Sequence, residues 1–295
     1  MLEIVLFLEF LKSILNLNYN FNFNIDLTQK SQALAYEDFI IQKEEKKFKI
    51  DETKISAQNV LIKEIDGKVL FERNSLEQKP IASLTKLLTA VVALQTYNQN
   101  EFFLINGNIV INHDAEKNSK FKSKEIYSRD KLINAMIISS SNVAAWTLAE
   151  KIGQDKFVKK INDLAKEWGL NNTFLIDPAG VSEKNISNLN DLYLLVKNIF
   201  KNYPEIFEIS RKSTFYLKDD KNQNRRYLYN TNYLISKYQD YIIGSKTGFT
   251  SEAGQCLLLL VKYPQSPLIF IGLLNSKDRV SDAEYLLQKL KEFYD

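Results

Sequence analysis

The sequence predicts an α/β (α+β) protein whose sheet takes strands from both ends of the chain. Three observations favour this class. Two short apolar segments with a turn between them lie near residue 60, a series of helical patterns follows, and apolar segments typical of strands return after residue 210. The chain has 295 residues, 45% of them hydrophobic, which suffices for a large buried core.

The first strands and the first helix are marked by their turn residues. Asp66 and Gly67 form a hairpin turn signal between apolar residues 60–62 and 69–71. Pro80 then precedes the apolar segment 81–95, and proline at a helix start fixes the entry angle without losing a hydrogen bond. Because this segment is apolar nearly all round, we expect a helix that runs through the core.

The remaining elements follow from apolar periodicity and from capping residues. Further helices are predicted over residues 128–137 with Ser128 as the N-cap, 143–152, 156–168 and 191–200. Strands are predicted at residues 215–217, 242–243, 256–261 and 268–274, with a last helix over 281–293. A helical block therefore separates the first strands from the last.

The N-terminal part of the chain differs in composition from the rest. Residues 1–16 are mostly apolar, but two glutamates interrupt the run, which is shorter than a typical membrane span. We predict a signal peptide or membrane anchor over 1–35, with an amphipathic leader or a misassigned start codon as alternatives. We predict a polar tether over 36–55 and one globular domain over 56–295.

Charge and rare residues restrict the chemistry. The net charge is +3, from 39 basic and 36 acidic residues, so nothing requires a nucleic-acid partner. The lone cysteine, Cys256, excludes an intrachain disulfide framework and a cysteine-rich metal site. The only histidine is His113. A hydrolase built on this chain must therefore activate its nucleophile without much help from histidine.

The segment Ser83-Leu84-Thr85-Lys86, at the start of the apolar helix, is a candidate nucleophile and base pair. Positions i and i+3 share a helix face, so the Lys86 amine can reach the Ser83 hydroxyl. Serine needs a base that removes its proton, and lysine serves only if its pKa falls toward neutrality. Burial and the positive end of a helix both lower that pKa.

Two further short motifs follow in order. Ser140-Ser141-Asn142 lies at a helix junction, where adjacent polar residues often serve only as caps. In the functional interpretation Ser140 passes a proton from Lys86 to a leaving amine, and Asn142 holds Lys86 and the substrate amide. Lys246-Thr247-Gly248 combines a cation and a hydroxyl that can grip a carboxylate with a glycine that admits a substrate backbone. An edge strand with an exposed lysine is the alternative.

The ordered set S-x-x-K, S-x-N and K-T-G resembles the signature of penicillin-binding proteins and serine β-lactamases. The flanking segments 80–90, 136–145 and 244–254 are similar to those of the D-alanyl-D-alanine carboxypeptidase family, with weaker likenesses at 168–174, 177–180 and 230–232. The likeness runs from about Ser56 to the C-terminus. The resemblance implies a β-lactamase/transpeptidase-like fold. An antiparallel sheet is then flanked by a helical block, with the active site at their junction.

The resemblance also implies a mechanism and its residues. Ser83 attacks the carbonyl between two D-alanines with Lys86 as general base, and terminal D-alanine leaves. The backbone N–H groups of Ser83 and Phe249 form the oxyanion hole. Lys246 and Thr247 bind the terminal carboxylate, assisted by Arg279, and Gly248 lets the substrate backbone approach. The alternative for Arg279 is a surface or helix-terminal residue. No metal and no cofactor are needed.

The implied partners are peptidoglycan stem peptides ending in D-Ala-D-Ala and β-lactam antibiotics as covalent inhibitors. The implied site of action is the periplasm or the outer face of the cell membrane, with membrane association through the N-terminal segment. Two departures from the family pattern stand out. Val143 replaces the usual acidic residue, and no C-terminal β-domain or C-terminal anchor is expected.

Three other functions stay open. A D,D-endopeptidase would cleave peptidoglycan crosslinks with the same groups. A serine β-lactamase would need a carboxylate that positions water, for which Asp177, Glu183 and Asp191 are candidates. A non-catalytic wall-binding module could keep the fold, but the intact Ser83 and Lys86 argue against it.

Overall fold

The computed structural model describes residues 47–113, 121–221 and 224–295. The predicted export segment over 1–35, and the tether as far as residue 46, lie outside the described residues. Lys47–Asp295 form one compact unit. The Phe48 ring packs edge to face on Phe293 with centroids 5.5 Å apart, and the Asp51 N–H donates to the Tyr285 hydroxyl at 2.7 Å. Because of these contacts with the last helix, the unit begins before Ser56, where the sequence placed its start.

The strands form one central sheet and three short pairs. In chain order they are β1 (Asn59–Glu64), β2 (Val69–Arg73), β3 (Lys79–Pro80), β4 (Phe102–Leu104), β5 (Ile126–Ser128), β6 (Ile186–Ser187), β7 (Thr214–Lys218), β8 (Arg225–Tyr229), β9 (Ile242–Thr250), β10 (Gly254–Lys262) and β11 (Leu268–Ser276). The central sheet is antiparallel with the order β2-β1-β11-β10-β9. The sheet therefore joins the first strands to the last, as the sequence predicts.

The helices lie between and after these strands. In chain order they are α1 (Lys86–Thr96), α2 (Gly107–His113), α3 (Arg129–Ile138), α4 (Asn142–Glu150), α5 (Gln154–Glu167), α6 (Leu189–Asn202), α7 (Glu205–Ser210), α8 (Leu234–Lys237) and α9 (Arg279–Tyr294), and short 3₁₀ helices cover Glu52–Lys54 and Ala82–Thr85. None of these helices is both long and apolar enough to cross a membrane.

Both faces of the sheet are covered, which explains the apolar runs of β10 and β11. Alternate residues of a strand face opposite sides, so Leu258 and Leu260 join the core shared with the helical block. Leu257 and Leu259 join a second core that contains Leu286 of α9. A strand that is buried on both faces has an almost continuous run of apolar residues in its sequence. The arrangement confirms the α+β prediction.

Two local differences from the predicted elements bear on the site. The helix predicted over 81–95 begins with a 3₁₀ turn, and regular α-helix starts only at Lys86. Strand β9 covers nine residues, whereas the sequence showed only 242–243 as a strand. Its middle residues are polar but buried, because they face the Ser83 turn and the helical block instead of solvent.

Candidate active site

The Ser83 side chain lies on the 3₁₀ turn Ala82–Thr85. Ala82 has φ 46°, a left-handed conformation that costs free energy in a residue with a Cβ and tends to persist at functional sites. Residues i and i+3 of a 3₁₀ helix eclipse each other. Lys86 Nζ consequently donates to Ser83 Oγ at 2.7 Å. The structure thus brings together the two residues that the first motif pairs.

Lys86 is fully buried and has three hydrogen-bond partners. Besides Ser83, its Nζ donates to Asn142 Oδ1 at 2.8 Å and to the carbonyl of Ala179. Burial lowers the pKa of Lys86 to about 7, against the opposing charge of Asp177. The two oxygens of Asn142 and Ala179 can only accept. When Lys86 is neutral, its lone pair must therefore face the Ser83 hydroxyl, the one partner that can donate.

Two serines of the second motif have different positions: Ser141 caps a helix, and Ser140 faces the site. Ser141 caps α4, since its Oγ accepts from the Ala144 N–H at 3.2 Å. Ser140, at φ 57°, accepts a hydrogen bond from Lys246 Nζ at 2.9 Å. The sequence interpretation had Ser140 exchanging a proton with Lys86, but its hydrogen bond goes to Lys246. The capping alternative therefore describes Ser141 alone.

Strand β9 carries the third motif along the edge of the sheet. Lys246 is buried, and its pKa lies well below the usual value because of burial, then the charges of Lys86 and Arg279. Thr247 Oγ1 lies 2.5 Å from Thr231 Oγ1, and Arg279 Nη1 donates to the Gly248 carbonyl at 2.8 Å. The alternative of an exposed lysine on an edge strand is excluded, because Lys246 is buried.

Gly248 is needed for a reason that the sequence did not show. A Cβ at this position would lie 3.0 Å from the Ile81 carbonyl oxygen and 3.1 Å from Ser83 N. The close approach is thus between β9 and the nucleophile turn, in addition to any approach by substrate. The next residue, Phe249, is 64% exposed, so its ring projects from the site.

The site concentrates positive charge without a paired carboxylate. Among the residues that the structure describes, no ion pair within 4.0 Å involves Lys86, Lys246 or Arg279. Burial of cations without a counter-ion is costly. Burial also lowers the pKa of Arg279, and an anion placed between these side chains would offset the cost of burying their charges.

The loop of residues 177–185 supports the Ser83 turn. The sequence shows only a weak likeness to the family in this loop. Asp177 accepts backbone N–H bonds from residues 179, 180, 181 and 182, at 2.7, 2.6, 3.3 and 2.8 Å. This folding presents the Ala179 carbonyl to Lys86. Asn185 ties the loop to the turn, donating to Thr85 Oγ1 at 3.2 Å and accepting at its carbonyl from Ile81 N–H at 3.0 Å.

The carboxylates that a β-lactamase mechanism would require are engaged elsewhere or exposed. Asp177 serves the loop just described. Asp191 accepts from the Asn172 N–H at 2.7 Å and from Thr173 Oγ1 at 2.8 Å. Glu183 is exposed. None of the three hydrogen-bonds to Ser83 or Lys86, which disfavours the β-lactamase alternative.

The described residues contain no group of three or more His, Cys, Asp and Glu side chains that could hold a metal ion. The chemistry that the geometry supports directly is acyl transfer. A serine on a strained turn is hydrogen-bonded to a buried lysine that can act as its base, and a strand that carries a second lysine lies beside both. Together with the antiparallel sheet and helical block, these groups define a serine hydrolase of the penicillin-binding fold.

The chain belongs to the D-alanyl-D-alanine carboxypeptidase family, peptidase family S11, whose model matches residues 44–277. The D-alanyl-D-alanine endopeptidase of Pseudomonas aeruginosa is 36% identical over 237 residues, which cover 76% of this chain and 74% of that protein. The D-alanyl-D-alanine carboxypeptidase DacF of Bacillus subtilis is 31% identical over 69% of this chain. The match covers 53% of DacF, so the chain spans about half of that relative's length.

Solved structures show the same fold. Penicillin-binding protein D2 of Listeria monocytogenes, in its ampicillin-bound form, has a TM-score of 0.68 and 25% sequence identity. The match covers 82% of this chain and 98% of that one. The protein is therefore a serine-type D-alanyl-D-alanine peptidase, a hydrolase of the penicillin-binding class. Its family acts on peptidoglycan, outside the cytoplasm.

Proposed function

We propose that the protein removes the terminal D-alanine from peptidoglycan stem peptides through an acyl-enzyme on Ser83. The observation that carries this proposal is the 2.7 Å contact between Ser83 Oγ and a fully buried lysine whose pKa is about 7. A lysine with that pKa is half neutral near physiological pH, where general bases work best. No other described side chain lies hydrogen-bonded to the Ser83 hydroxyl.

Each further residue has a role that its position supports. Lys86 takes the Ser83 proton as Oγ bonds to the penultimate carbonyl, and this proton then passes from Lys86 through Ser140 to the D-alanine amine as the C–N bond breaks. Asn142 orients Lys86 and the substrate amide. The Ser83 and Phe249 N–H groups stabilise the oxyanion, while Lys246, Thr247, Gly248 and Arg279 form the carboxylate end of the site. Water then hydrolyses the ester and frees Ser83.

Intact-protein mass after brief exposure to benzylpenicillin tests the acyl-enzyme. We expect one equivalent of the drug on the wild-type protein and none on Ser83→Ala. β-Lactams belong to this proposal because the structurally similar Listeria protein was solved with ampicillin bound. An adduct that persists in Ser83→Ala would assign the nucleophile elsewhere, and consumption of the drug without an adduct would favour the β-lactamase function.

The acylation rate will rise with pH through a single transition near 7. Lys86 is a base only when neutral, and burial lowers its pKa to about 7, so the active fraction grows as pH increases. The measurement is the second-order rate of acylation by a chromogenic β-lactam from about pH 5 to about pH 9. A rate that is flat or falling across neutral pH would contradict the role of Lys86.

Arg279→Ala will lower kcat/KM for a D-Ala-D-Ala peptide by about 10- to 100-fold. The basis is the usual value of a hydrogen bond to a charged group, about 1.5–3 kcal/mol. The matched control is the same peptide with a C-terminal amide, which lacks the carboxylate and should lose much less. If the acid and the amide lose equally, Arg279 supports β9 through the Gly248 carbonyl and does not bind substrate.

Endopeptidase cleavage is the second candidate, and the name of the Pseudomonas relative favours it. In a crosslink through a diamino acid, a carboxylate also neighbours the scissile amide, so the cationic strand serves both reactions. Chromatography of products from linear pentapeptides and from crosslinked dimers separates the two. Faster turnover of the dimer would replace the carboxypeptidase proposal.

We also propose that residues 1–35 direct the protein to the periplasm or the outer face of the membrane. The support is the apolar character of residues 1–16 together with a family that acts on peptidoglycan. Fractionation of cells expressing the full chain, and of cells expressing a chain that lacks residues 1–35, tests this. Equal cytoplasmic retention of both chains would contradict it.

A further inference from the structure

The hairpin of β7 and β8 presents three tyrosine rings on one exposed face. Tyr216 lies opposite Tyr227, with ring centroids 5.1 Å apart, and Tyr229 lies opposite Thr214. The three tyrosines are 42%, 57% and 65% exposed, in sequence order. The other face of the hairpin is buried in the core of the helical block through Leu217 and Leu228, as the strand alternation requires.

These tyrosines have no internal function that accounts for their exposure. None of the three hydroxyls hydrogen-bonds to another residue that the structure describes. A cross-strand aromatic pair stabilises a hairpin, which accounts for Tyr216 and Tyr227 but not for Tyr229. Clustered exposed rings that combine an apolar face with a polar edge are typical of binding surfaces.

The tyrosine face lies close along the chain to a residue that contacts the acyl-transfer site. Two residues after Tyr229, Thr231 Oγ1 lies 2.5 Å from Thr247 Oγ1, and the Thr231 N–H donates to the Ile138 carbonyl at 3.1 Å. An extended chain spans about 3.5 Å per residue, so Tyr229 lies within about 7 Å of Thr231 along the chain and Tyr227 within about 14 Å. The distance from the three rings to the reacting bond is therefore one that a short peptide can span.

Two cations lie at the far end of the same hairpin. Lys218 is directly opposite Arg225, and like charges in such a pair destabilise a hairpin. Neither residue forms an ion pair with any part of the chain that the structure describes. A ligand that brings carboxylates to this end of the hairpin would offset the repulsion between these two cations.

We propose that the tyrosine face, Tyr216, Tyr227 and Tyr229, binds the sugar rings of the glycan strand that carries the stem peptide. This inference rests on the proposed function. Four stem residues between the reacting carbonyl and the sugar extend up to about 14 Å, so a stem bound at Ser83 is long enough for its sugar to reach the hairpin. Sugar rings have flat C–H faces that stack on aromatic rings and hydroxyls that bond to tyrosine. A neighbouring stem peptide on the same glycan strand, beyond the tyrosines, then brings its carboxylates toward Lys218 and Arg225.

The test compares two triple variants on two substrates. In the first variant Tyr216→Thr, Tyr227→Thr and Tyr229→Thr remove the rings but keep a high strand propensity. In the second, all three become phenylalanine and keep them. For pentapeptide attached to a glycan of several disaccharides, we expect the threonine variant to raise KM about tenfold and the phenylalanine variant to raise it much less. KM for the free pentapeptide should stay unchanged in both.

Two controls distinguish a loss of glycan binding from misfolding and from a failure of the proposed carboxypeptidase function. Phe200→Thr removes a partly exposed ring from α6 and should leave both KM values unchanged. Binding of purified glycan without stem peptides gives a readout independent of catalysis, and the threonine variant should lose it even if the carboxypeptidase assignment fails. Equal KM changes for free and glycan-linked peptide would overturn the proposal. So would unchanged glycan affinity combined with lost binding to anionic lipid vesicles, which would make the face a membrane contact.

Discussion

Lys86→Met will lower the rate of Ser83 acylation by a factor of about a thousand or more, close to the upper range for loss of a general base. Methionine is apolar and of similar length, so it fills the buried position without a charge. What it lacks is the lone pair that, in neutral Lys86, faces the Ser83 hydroxyl. Stopped-flow measurement with a chromogenic β-lactam, alongside D-alanine release from a pentapeptide, gives the rate.

The matched comparison for Lys86→Met is Lys86→Arg, which keeps the charge but does not lose its proton at neutral pH. Both variants should be nearly inactive if the proton transfer matters, whereas only the methionine variant should be inactive if the charge matters. Thermal unfolding followed by circular dichroism establishes that both variants are folded. Acylation by Lys86→Met within tenfold of the wild type would remove Lys86 from the mechanism.

Gly180→Ala will destabilise the fold by about 3 kcal/mol or more and will also abolish most acylation. Gly180 has φ 76°, and a Cβ at this position would lie 1.9 Å from the Ala82 carbonyl oxygen. The clash is with backbone, so no side-chain rotation relieves it. The nucleophile turn and the loop that presents the Ala179 carbonyl to Lys86 must then separate.

Gly169→Ala is the matched control for Gly180→Ala. Gly169 has φ 74°, nearly the same backbone conformation, but nothing lies within 4 Å of its added Cβ. Gly169→Ala should lower the free energy of unfolding only by the cost of a left-handed residue, about 1–2 kcal/mol, and should leave the acylation rate unchanged. Urea unfolding and β-lactam acylation of both variants make the comparison. Similar losses of stability and rate in the two would show that contact with the nucleophile turn is unimportant.

The sequence predicted the elements of the fold better than the contacts within the site. Strong apolar periodicity located the strands of the central sheet other than β9, and the main helices, to within a few residues. The short motifs pointed to Ser83, Lys86 and Lys246 as candidates because only a few residue types can do this chemistry. Strand β9 was underestimated because its buried residues are polar, and strand patterns are read from apolar side chains.

The supporting residues could not be assigned from the sequence, for physical reasons. Lys86 donates its third hydrogen bond to a backbone carbonyl, that of Ala179, and every residue type offers that group. Thr231 contacts Thr247 through a side-chain pair whose register depends on how the hairpin packs. Gly180 faces Ala82 only once the loop is folded. The likeness of segments 177–180 and 230–232 to the family was the one signal that pointed to these positions.

The order of strands in the sheet governs when during synthesis the enzyme can become active. Leu61 of β1 pairs with Gly272 of β11, and β10 and β9 attach only beyond β11. While the ribosome is still making residues before 268, β1 is paired with β2 but lacks its other neighbour β11, so β10 and β9 have no strand that joins them to the sheet. Closing such distant pairs is slow, and open strand edges are prone to aggregate in the meantime. The nucleophile should therefore stay inert in nascent chains, and activity should appear in one late step.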